Sequence, residues 1–391
     1  MKTKIRLGII GAGAVVREIY QYLYFNSEYS HLLEICAVAN PGEKNRNWFG
    51  ALAKLPKNRR FADYKEMLTK VELDAVQINT PDHLHRAPTL DALSAGLDVL
   101  LPKPTAATVK DAHSMIQAAK KAGRYLGIDF HKREDPRIKE AEARYKSGRY
   151  GIFQTGVFYM IDKLLVSDPN HTPRFFATSD YAEENTPVSF LTVHMADAIM
   201  KITGLVPVEV RATGYSHKLP SLKPRAVKGY DLVDTEILFD SGAVAHVVTG
   251  WAIPNTAWSI AVQSGRLICS DGLLDLGLDM PGFREIHSSG VNEVNPLFRN
   301  FEKNGTVGGY GISNPGRLYQ QMLAHQNGQP VAKDMDTILP DFYTAVISEA
   351  AEKSLASGKK IKTGVTRGVT IDVKKFVRSQ IGASAKQYGL K

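Results

Sequence analysis

The segment Gly8-Ile9-Ile10-Gly11-Ala12-Gly13 constrains this chain more than any other. It joins an apolar run, Lys4 to Ile10, to a stretch of helical periodicity, Ala14 to Phe25. Glycines at such a strand–turn–helix junction let the backbone approach a pyrophosphate, and the helix N-terminus aims N–H groups at it. The third glycine of the usual G-x-G-x-x-G spacing is replaced by Val16, so the helix is expected to shift against the strand. Gly11, Ala12, Gly13, Ala14 and Val15 are the candidate contacts to such a ligand.

The alternation of strand and helix signals continues to about residue 130. Strands are expected at Leu33–Ala39, Asp74–Asn79, Asp98–Leu101 and Tyr125–Asp129. Helices are expected at Glu43–Lys54, at Leu84–Ala95 before Gly96, and from the Thr108 cap to Ala122 before Gly123. This order implies a doubly wound, mostly parallel α/β sheet. After about residue 150 the pattern changes to long alternating strands: Ile152–Ile161, Val208–Ser216, Leu232–Phe239, Ala243–Gly250 and Trp258–Ser264. Asp240-Ser241-Gly242 reads as a hairpin turn. Helical stretches fall at Phe190–Ile202, Pro315–Asn327 and Asp336–Ser357. An α+β domain with a large, mainly antiparallel, open sheet follows from this pattern. A chain of 391 residues suits two domains. The reading places a dinucleotide-binding domain at 1–130 and a substrate-binding and oligomerisation domain at 131–391.

Composition excludes several classes. No apolar run reaches the roughly 18 residues that span a bilayer. Lys2, Lys4 and Arg6 before Leu7–Val16 imitate an export signal, but Arg17-Glu18 follows with no cleavage pattern. A cytoplasmic protein with no membrane partner is expected. Two cysteines, Cys36 and Cys269, exclude a disulfide framework and read as buried free thiols. No His/Cys spacing suggests a metal site. The charge of +9 is read as a solvated basic surface, because no block of like charges marks a nucleic-acid arm.

Three further positions carry chemistry. Asn40 ends the second strand, where an acid often holds the adenosine ribose. Asparagine still hydrogen-bonds a hydroxyl and does not repel a 2′-phosphate, with which Lys44 and Arg46 could pair; NAD is the expected cofactor, with NADP left open. Asn79-Thr80-Pro81-Asp82-His83-Leu84-His85 spans a strand end and a helix start, and Asn79, Thr80, Pro81, His83 and His85 are candidate cofactor contacts. Lys103, between Pro102 and Pro104, follows a strand's carboxyl end, the ligand side of a doubly wound sheet.

Together these residues resemble the Gfo/Idh/MocA oxidoreductases. The resemblance rests on Gly11-Ala12-Gly13, Ile78-Asn79-Thr80-Pro81 with His85, Ala95-Gly96-Leu97-Asp98-Val99, Lys103-Pro104 and Arg133-Glu134-Asp135-Pro136. The family writes its lysine motif Glu-Lys-Pro, whereas this chain has Pro102 before the lysine. The resemblance implies a Rossmann domain, an open-sheet substrate domain, a Lys103–Pro104 bond that is often cis, and a homodimer or homotetramer. The family's second signature is an aspartate with a histidine four residues on. Here Phe190 holds the aspartate position, His194 matches the histidine, and Asp197 matches a further acid. Residues four apart share a helix face, so an aromatic ring is expected beside His194.

What the resemblance implies is hydride exchange between NAD(P) and a hydroxyl of a carbohydrate-like substrate: a sugar, polyol or glycoside. Removing the hydroxyl proton needs a base, which His194 supplies, while the Lys103 ammonium stabilises the alkoxide. Tyr159, Asp162, Lys163, Arg174, Asp197 and His131 are the candidate substrate contacts, and Asp129, Trp251 and Trp258 are further substrate-side candidates. Two alternatives stand beside this reading: an NAD-dependent glycosidase working by transient oxidation and elimination, and a non-catalytic sugar sensor. Arg378–Lys391 reads as a flexible tail or an arm to a neighbour.

Overall fold

The computed structural model describes residues 1–172, 175, 181–278, 283–288, 290–294, 299–301, 305–331 and 338–390. The chain divides into two compact units, one of Met1–Glu134 with Arg299–Phe342, the other of Asp135–Phe298 with Tyr343–Lys391.

The first unit is built on six parallel strands: β1 (Ile5–Ile10), β2 (Leu33–Ala39), β3 (Arg60–Phe61), β4 (Ala75–Ile78), β5 (Asp98–Pro102) and β6 (Leu126–Asp129). Their order is β3-β2-β1-β4-β5-β6, the doubly wound arrangement. Ile5, Leu7, Ile9 and Ile10 are all buried, as expected of a central parallel strand covered on both faces. Strand β3 and the helix Tyr64–Lys70, capped by Asp63, are additions to the sequence reading. Two residues of strand are too short to show periodicity. Where the third glycine would stand, Val16 is fully buried and opens a π turn over Val16–Tyr20, wider than an α turn. The helix then continues over Gln21–Asn26.

The second unit carries β7 (Phe153–Lys163), β8 (Pro207–Tyr215), β9 (Leu232–Phe239), β10 (Val244–Ile253), β11 (Ala261–Cys269), β12 (Gly272–Gly277), β13 (Phe283–His287) and β14 (Gly290–Val294). The hairpin of β15 (Arg299–Phe301) and β16 (Val307–Gly309) falls in the first unit. The strands β17 (Lys359–Lys362), β18 (Val365–Arg367) and β19 (Ile371–Asp372) return to the second. The sheet runs β14-β13-β12-β11-β7-β10-β9-β8-β18-β17, with β19 beside β8. Its pairs are antiparallel except β10 on β7. Gly242, at φ +88°, makes the β9–β10 turn read from Asp240-Ser241-Gly242.

Three sequence expectations need adjusting. The helix Ser313–Gln326 belongs to the first unit, not to the second part of the chain. It buries Leu318, Tyr319 and Met322, and hydrogen-bonds Asn314 to Asp129 (2.7 Å), Tyr319 to Gln77 (2.6 Å) and Gln326 to Asp98 (2.8 Å). Its periodicity announces a helix and is silent on which sheet receives it. Residues 378–390 are not a loose tail: the helix Val373–Ile381 runs into a 3₁₀ stretch, Ala385, Tyr388 and Leu390 are buried, and the Tyr343 hydroxyl donates to the Tyr388 carbonyl at 2.5 Å. Both cysteines are free, but Cys36 is half-exposed while Cys269 is buried. Among the described residues no helix is long and apolar enough to cross a membrane.

Candidate active site

The glycine turn is held by main-chain bonds to both neighbouring strands. Gly11 N donates to Ala39 O (2.8 Å), Asn79 N to Ile10 O (2.7 Å), and Asn79 Nδ2 to Gly11 O (3.3 Å). Ala12 N donates to Asn40 Oδ1 at 3.0 Å. Gly11 sits at φ +87°, and a Cβ there would lie 2.8 Å from Asn79 O. A Cβ on Gly13 would meet nothing within 4 Å. The turn is therefore closed on its inner side and open at Gly13. Ala14 and Val15, half-buried, lead from it into the π turn. Next to it, the Thr80 hydroxyl oxygen is buried without a partner among the described residues. An open backbone cradle and an orphaned hydroxyl fit a dinucleotide, which would fill the first and hydrogen-bond the second.

Lys103 follows β5, with Pro102 and Lys103 both half-buried. Its N–H donates to Asp129 O at 3.3 Å, and the Lys103–Pro104 bond is cis. His85 braces this turn. One ring nitrogen lies 3.1 Å from Pro104 O and 3.0 Å from Thr105 O, and the other 2.9 Å from Thr80 O. Burial pushes the His85 imidazole below its ordinary pKa, against Asp82 and the carbonyls, which pull the other way. The ring thus links the end of β4 to the lysine turn through backbone oxygens. His83, by contrast, is exposed, with Nδ1 3.7 Å from Asp82, and Pro81 is exposed beside it.

Asp129, fully buried at the end of β6, gathers groups from three elements. It accepts from Tyr20 Oη (2.8 Å) and Asn314 Nδ2 (2.7 Å), and His131 Nδ1 approaches it at 2.8 Å, off the direction of a well-aligned hydrogen bond. His131 is buried, edge-on to Tyr310 with centroids 5.1 Å apart. Behind it, Gln77 Oε1 accepts from both Tyr24 and Tyr319 at 2.6 Å, and Gln77 Nε2 donates to Asn79 Oδ1 at 3.1 Å. Sequence reasoning missed Tyr20, Gln77 and Asn314. Only the buried glutamine in an apolar strand offered a signal; Asn314 lies 185 residues from its partner.

In the second unit, His194 and Asp197 stand on the helix Val193–Thr203 and both are buried. A π turn, Val188–Thr192, leads into this helix. The Thr192 hydroxyl pairs with that of Thr249 at 2.7 Å, which seats the turn on β10. The i, i+4 relation of Phe190 and His194 runs through the π turn, whose bonds span five residues rather than four. Phe190 sets its ring edge-on to Tyr181 at 5.7 Å, and Tyr181 in turn meets Trp251 at 6.1 Å.

The remaining substrate candidates divide. Along β7, Asp162 is buried on the face of Phe158 and Met160. Thr249 of β10 pairs with Met160, so the helix of His194 is seated on that same face. Tyr159 and Lys163 alternate to the opposite face. Trp251 is fully buried with its indole N–H on Tyr230 O (3.1 Å), so it packs the core instead of forming a sugar platform. Trp258 is 70% exposed. Arg174 lies outside the described residues.

Comparison with known proteins places this architecture. Residues 5–130 match the model of an oxidoreductase family with an NAD-binding Rossmann fold, Gfo/Idh/MocA. The chain is 30% identical over 373 residues to a 1,5-anhydro-D-fructose reductase of Ensifer adhaerens, covering 92% of this chain and 99% of that one. It is 25% identical over 370 residues to an inositol 2-dehydrogenase of Arthrobacter sp. (strain FB24), covering 92% and 96%. An inositol dehydrogenase homologue of Azotobacter vinelandii, solved with NADH and myo-inositol, superposes with a TM-score of 0.74 at 17% identity, over 95% of this chain and 98% of that one. With the glycine cradle, the Lys103–Pro104 turn and a match over nearly its whole length, this chain belongs to the Gfo/Idh/MocA family of NAD(P)-dependent oxidoreductases.

Proposed function

We propose that this enzyme moves hydride between a nicotinamide dinucleotide and a secondary alcohol of a sugar, polyol or glycoside, with Lys103 and His194 as its catalytic residues. The observation that carries the reading is the shared sheet edge. The glycine cradle after β1, Thr80 after β4 and Lys103 after β5 all stand at carboxyl ends of neighbouring parallel strands. When bound there, the nicotinamide takes or returns the hydride. Lys103 holds the substrate oxygen and stabilises its negative charge. His194 takes the hydroxyl proton in oxidation and returns it in reduction. Gly11 to Val15, Asn40, Arg46, Asn79, Thr80 and Pro81 bind the dinucleotide, and His85 and Pro102 position Lys103. Asp162 and Asp197 supply polar contacts on the His194 side of the β7 sheet. The names of relatives that act on inositol and on anhydrofructose support a carbohydrate-like substrate.

Replacing Lys103 by Met tests the assignment. Turnover on the best substrate of a sugar and polyol panel should fall by about 10²–10⁴. The dissociation constant of the dinucleotide should change by less than about threefold, a shift of under 1 kcal/mol. Wild-type turnover in this variant would remove Lys103 from the chemistry.

The proposed enzyme is a cytoplasmic homodimer or homotetramer. Ile268, Leu273, Ile286 and Val291 stand directly opposite one another on β11 to β14. Ile268, Ile286 and Val291 are 40%, 41% and 63% exposed, a row of apolar side chains on one sheet face that a second subunit would cover. Light scattering after gel filtration reads the subunit number directly.

A further inference from the structure

We propose that the edge of the large sheet formed by β17 and β18 docks an acidic, extended segment of a partner protein, which adds as a strand beside β17. The charge of the chain is unevenly placed. Residues 353–391 hold ten lysines and arginines against one acid, Asp372, a net +9 that equals the charge of the whole chain. Residues 1–352 therefore sum to zero. In sequence these cations are spaced and form no block, but the fold gathers them within the second unit. Lys359, Lys360 and Lys362 stand on β17 and Arg367 on β18, all four exposed. β18 pairs with β8 through Arg367 and Thr213, and β19 continues along β8 through Ile371 and Val210. The helix Val373–Ile381 follows at once, buries Val373, Phe376 and Val377, and leaves Lys374 and Arg378 exposed.

These charges lack counter-ions and stand at a cost. Elsewhere in the second unit Arg144, Arg211 and Arg266 each meet a carboxylate within 2.9 Å. Among the described residues no acid pairs with Lys359, Lys360, Lys362 or Arg367. Asp372 is occupied as a helix cap, accepting the Lys375 N–H at 2.8 Å. Lys359 lies directly opposite Arg367 in the β17–β18 ladder, and like charges so placed weaken a strand pair. A carboxylate laid beside them reverses that repulsion. β17 is also the last strand of its sheet, and among the described residues no strand pairs with its outer side. A strand added there bonds its main chain to β17 and sets its side chains beside the lysines. Edge lysines repel indiscriminate pairing. A second copy of β17 would set lysine against lysine, which excludes the chain itself as the occupant. An acidic strand turns the same charges into attraction and selectivity. Nucleic acid fits less well. The aromatic residues of 353–390, Phe376 and Tyr388, are both buried and offer no base a stacking face.

The test is fluorescence anisotropy of the full chain with two labelled peptides of one composition and charge. Each alternates glutamate and threonine. In the first a Pro-Pro pair stands at the carboxyl end, and in the second it stands at the centre, where it interrupts strand pairing. The first peptide should bind, and the second at least about tenfold more weakly. Affinity for the first should fall as salt rises from about 0.05 M to about 0.5 M. Amide exchange over residues 359–362 should slow when it binds. Replacing Lys359, Lys360 and Lys362 together by Gln should weaken it by about tenfold, with melting curve and turnover unchanged. The same change at Lys65, Lys120 and Lys121, exposed lysines of the first unit, should leave affinity within about twofold. Absence of binding, equal affinity for the two peptides, or an equal loss in the two triple variants overturns the proposal. Duplex DNA and phosphatidylserine vesicles are titrated in parallel, and tighter binding of either than of the first peptide also overturns it.

Discussion

The two units present their chemistry on opposite kinds of support. In the first unit the proposed dinucleotide cradle is backbone. The glycine turn is tied to β2 and β4 by main-chain bonds; the missing Cβ at Gly11 lets it close on Asn79, and the missing Cβ at Gly13 leaves it open. In the second unit the proposed base is a side chain on a helix, buried and aimed by packing, with a π turn setting its register. A backbone cradle is sensitive to added atoms and indifferent to most side-chain chemistry. A helix-borne base has the reverse sensitivity. Substitutions in the two places should therefore fail in different ways, the first in folding or binding and the second in turnover.

The largest effect is expected at the helix. His194→Asn keeps a polar side chain of similar size and removes the base, so kcat should fall by about 10²–10⁴. Dinucleotide affinity, measured by fluorescence quenching, should hold. If affinity falls in parallel with kcat, the division of labour between cradle and helix is broken.

A smaller and more discriminating contrast lies within the cradle. Gly11→Ala forces a Cβ to 2.8 Å from Asn79 O at a φ of +87°. It should cost about 1–3 kcal/mol of folding stability, read by urea unfolding. Gly13→Ala meets no protein atom within 4 Å. That variant should fold normally and lose dinucleotide affinity, because its methyl group enters the space proposed for the ligand. Two alanines, two residues apart, thus separate the structural glycine from the binding one. Identical melting curves for both would mean that the turn relaxes around Gly11.

The same contrast explains what the sequence made legible. Strand–turn–helix order, the glycine turn and the lysine between prolines are local patterns. β1, β2, β4, β5 and β6 fall where apolar runs and terminating glycines place them. The helix of Ser313–Gln326 was legible as a helix, yet its place on the first sheet depends on Tyr319 meeting Gln77 and Asn314 meeting Asp129. Such pairings follow from tertiary packing and leave no periodic trace. In sequence, Phe190 and His194 stand at α-helical spacing, whereas in the fold a π turn over Val188–Thr192 intervenes. Indole position misled in a similar way: Trp251 looks like a sugar-stacking residue in sequence, but its N–H satisfies Tyr230 O inside the core. At the second strand's end, the identity of Asn40 was plain, while the engagement of its amide by Ala12 and Gly42 required the fold.

The smallest predicted effect tests whether function is confined to the carboxyl ends of the parallel strands. Strand β5 begins at Asp98 and is followed by Lys103 at its other end. Asp98 is fully buried. Burial pushes its carboxyl up, against hydrogen bonds from Gln326 Nε2 at 2.8 Å and Tyr125 N at 2.9 Å. A carboxyl raised in the folded state favours folding when protonated. Its contribution is fully present below the unfolded value of about 3.9 and is lost as pH rises through the folded pKa. At neutral pH the buried charge is a cost. Gln326 Oε1 is buried without a partner among the described residues, so a turned Gln326 amide can accept from an asparagine at position 98. Asp98→Asn should therefore equal or exceed the wild type by up to about 1 kcal/mol at pH 8. Its margin should shrink or reverse toward pH 4, in unfolding curves recorded across that range. Turnover and dinucleotide affinity should be unchanged. A loss of turnover without a loss of stability would extend the working surface to the amino ends of the strands, and the contrast between a backbone cradle and a side-chain base would then be too narrow.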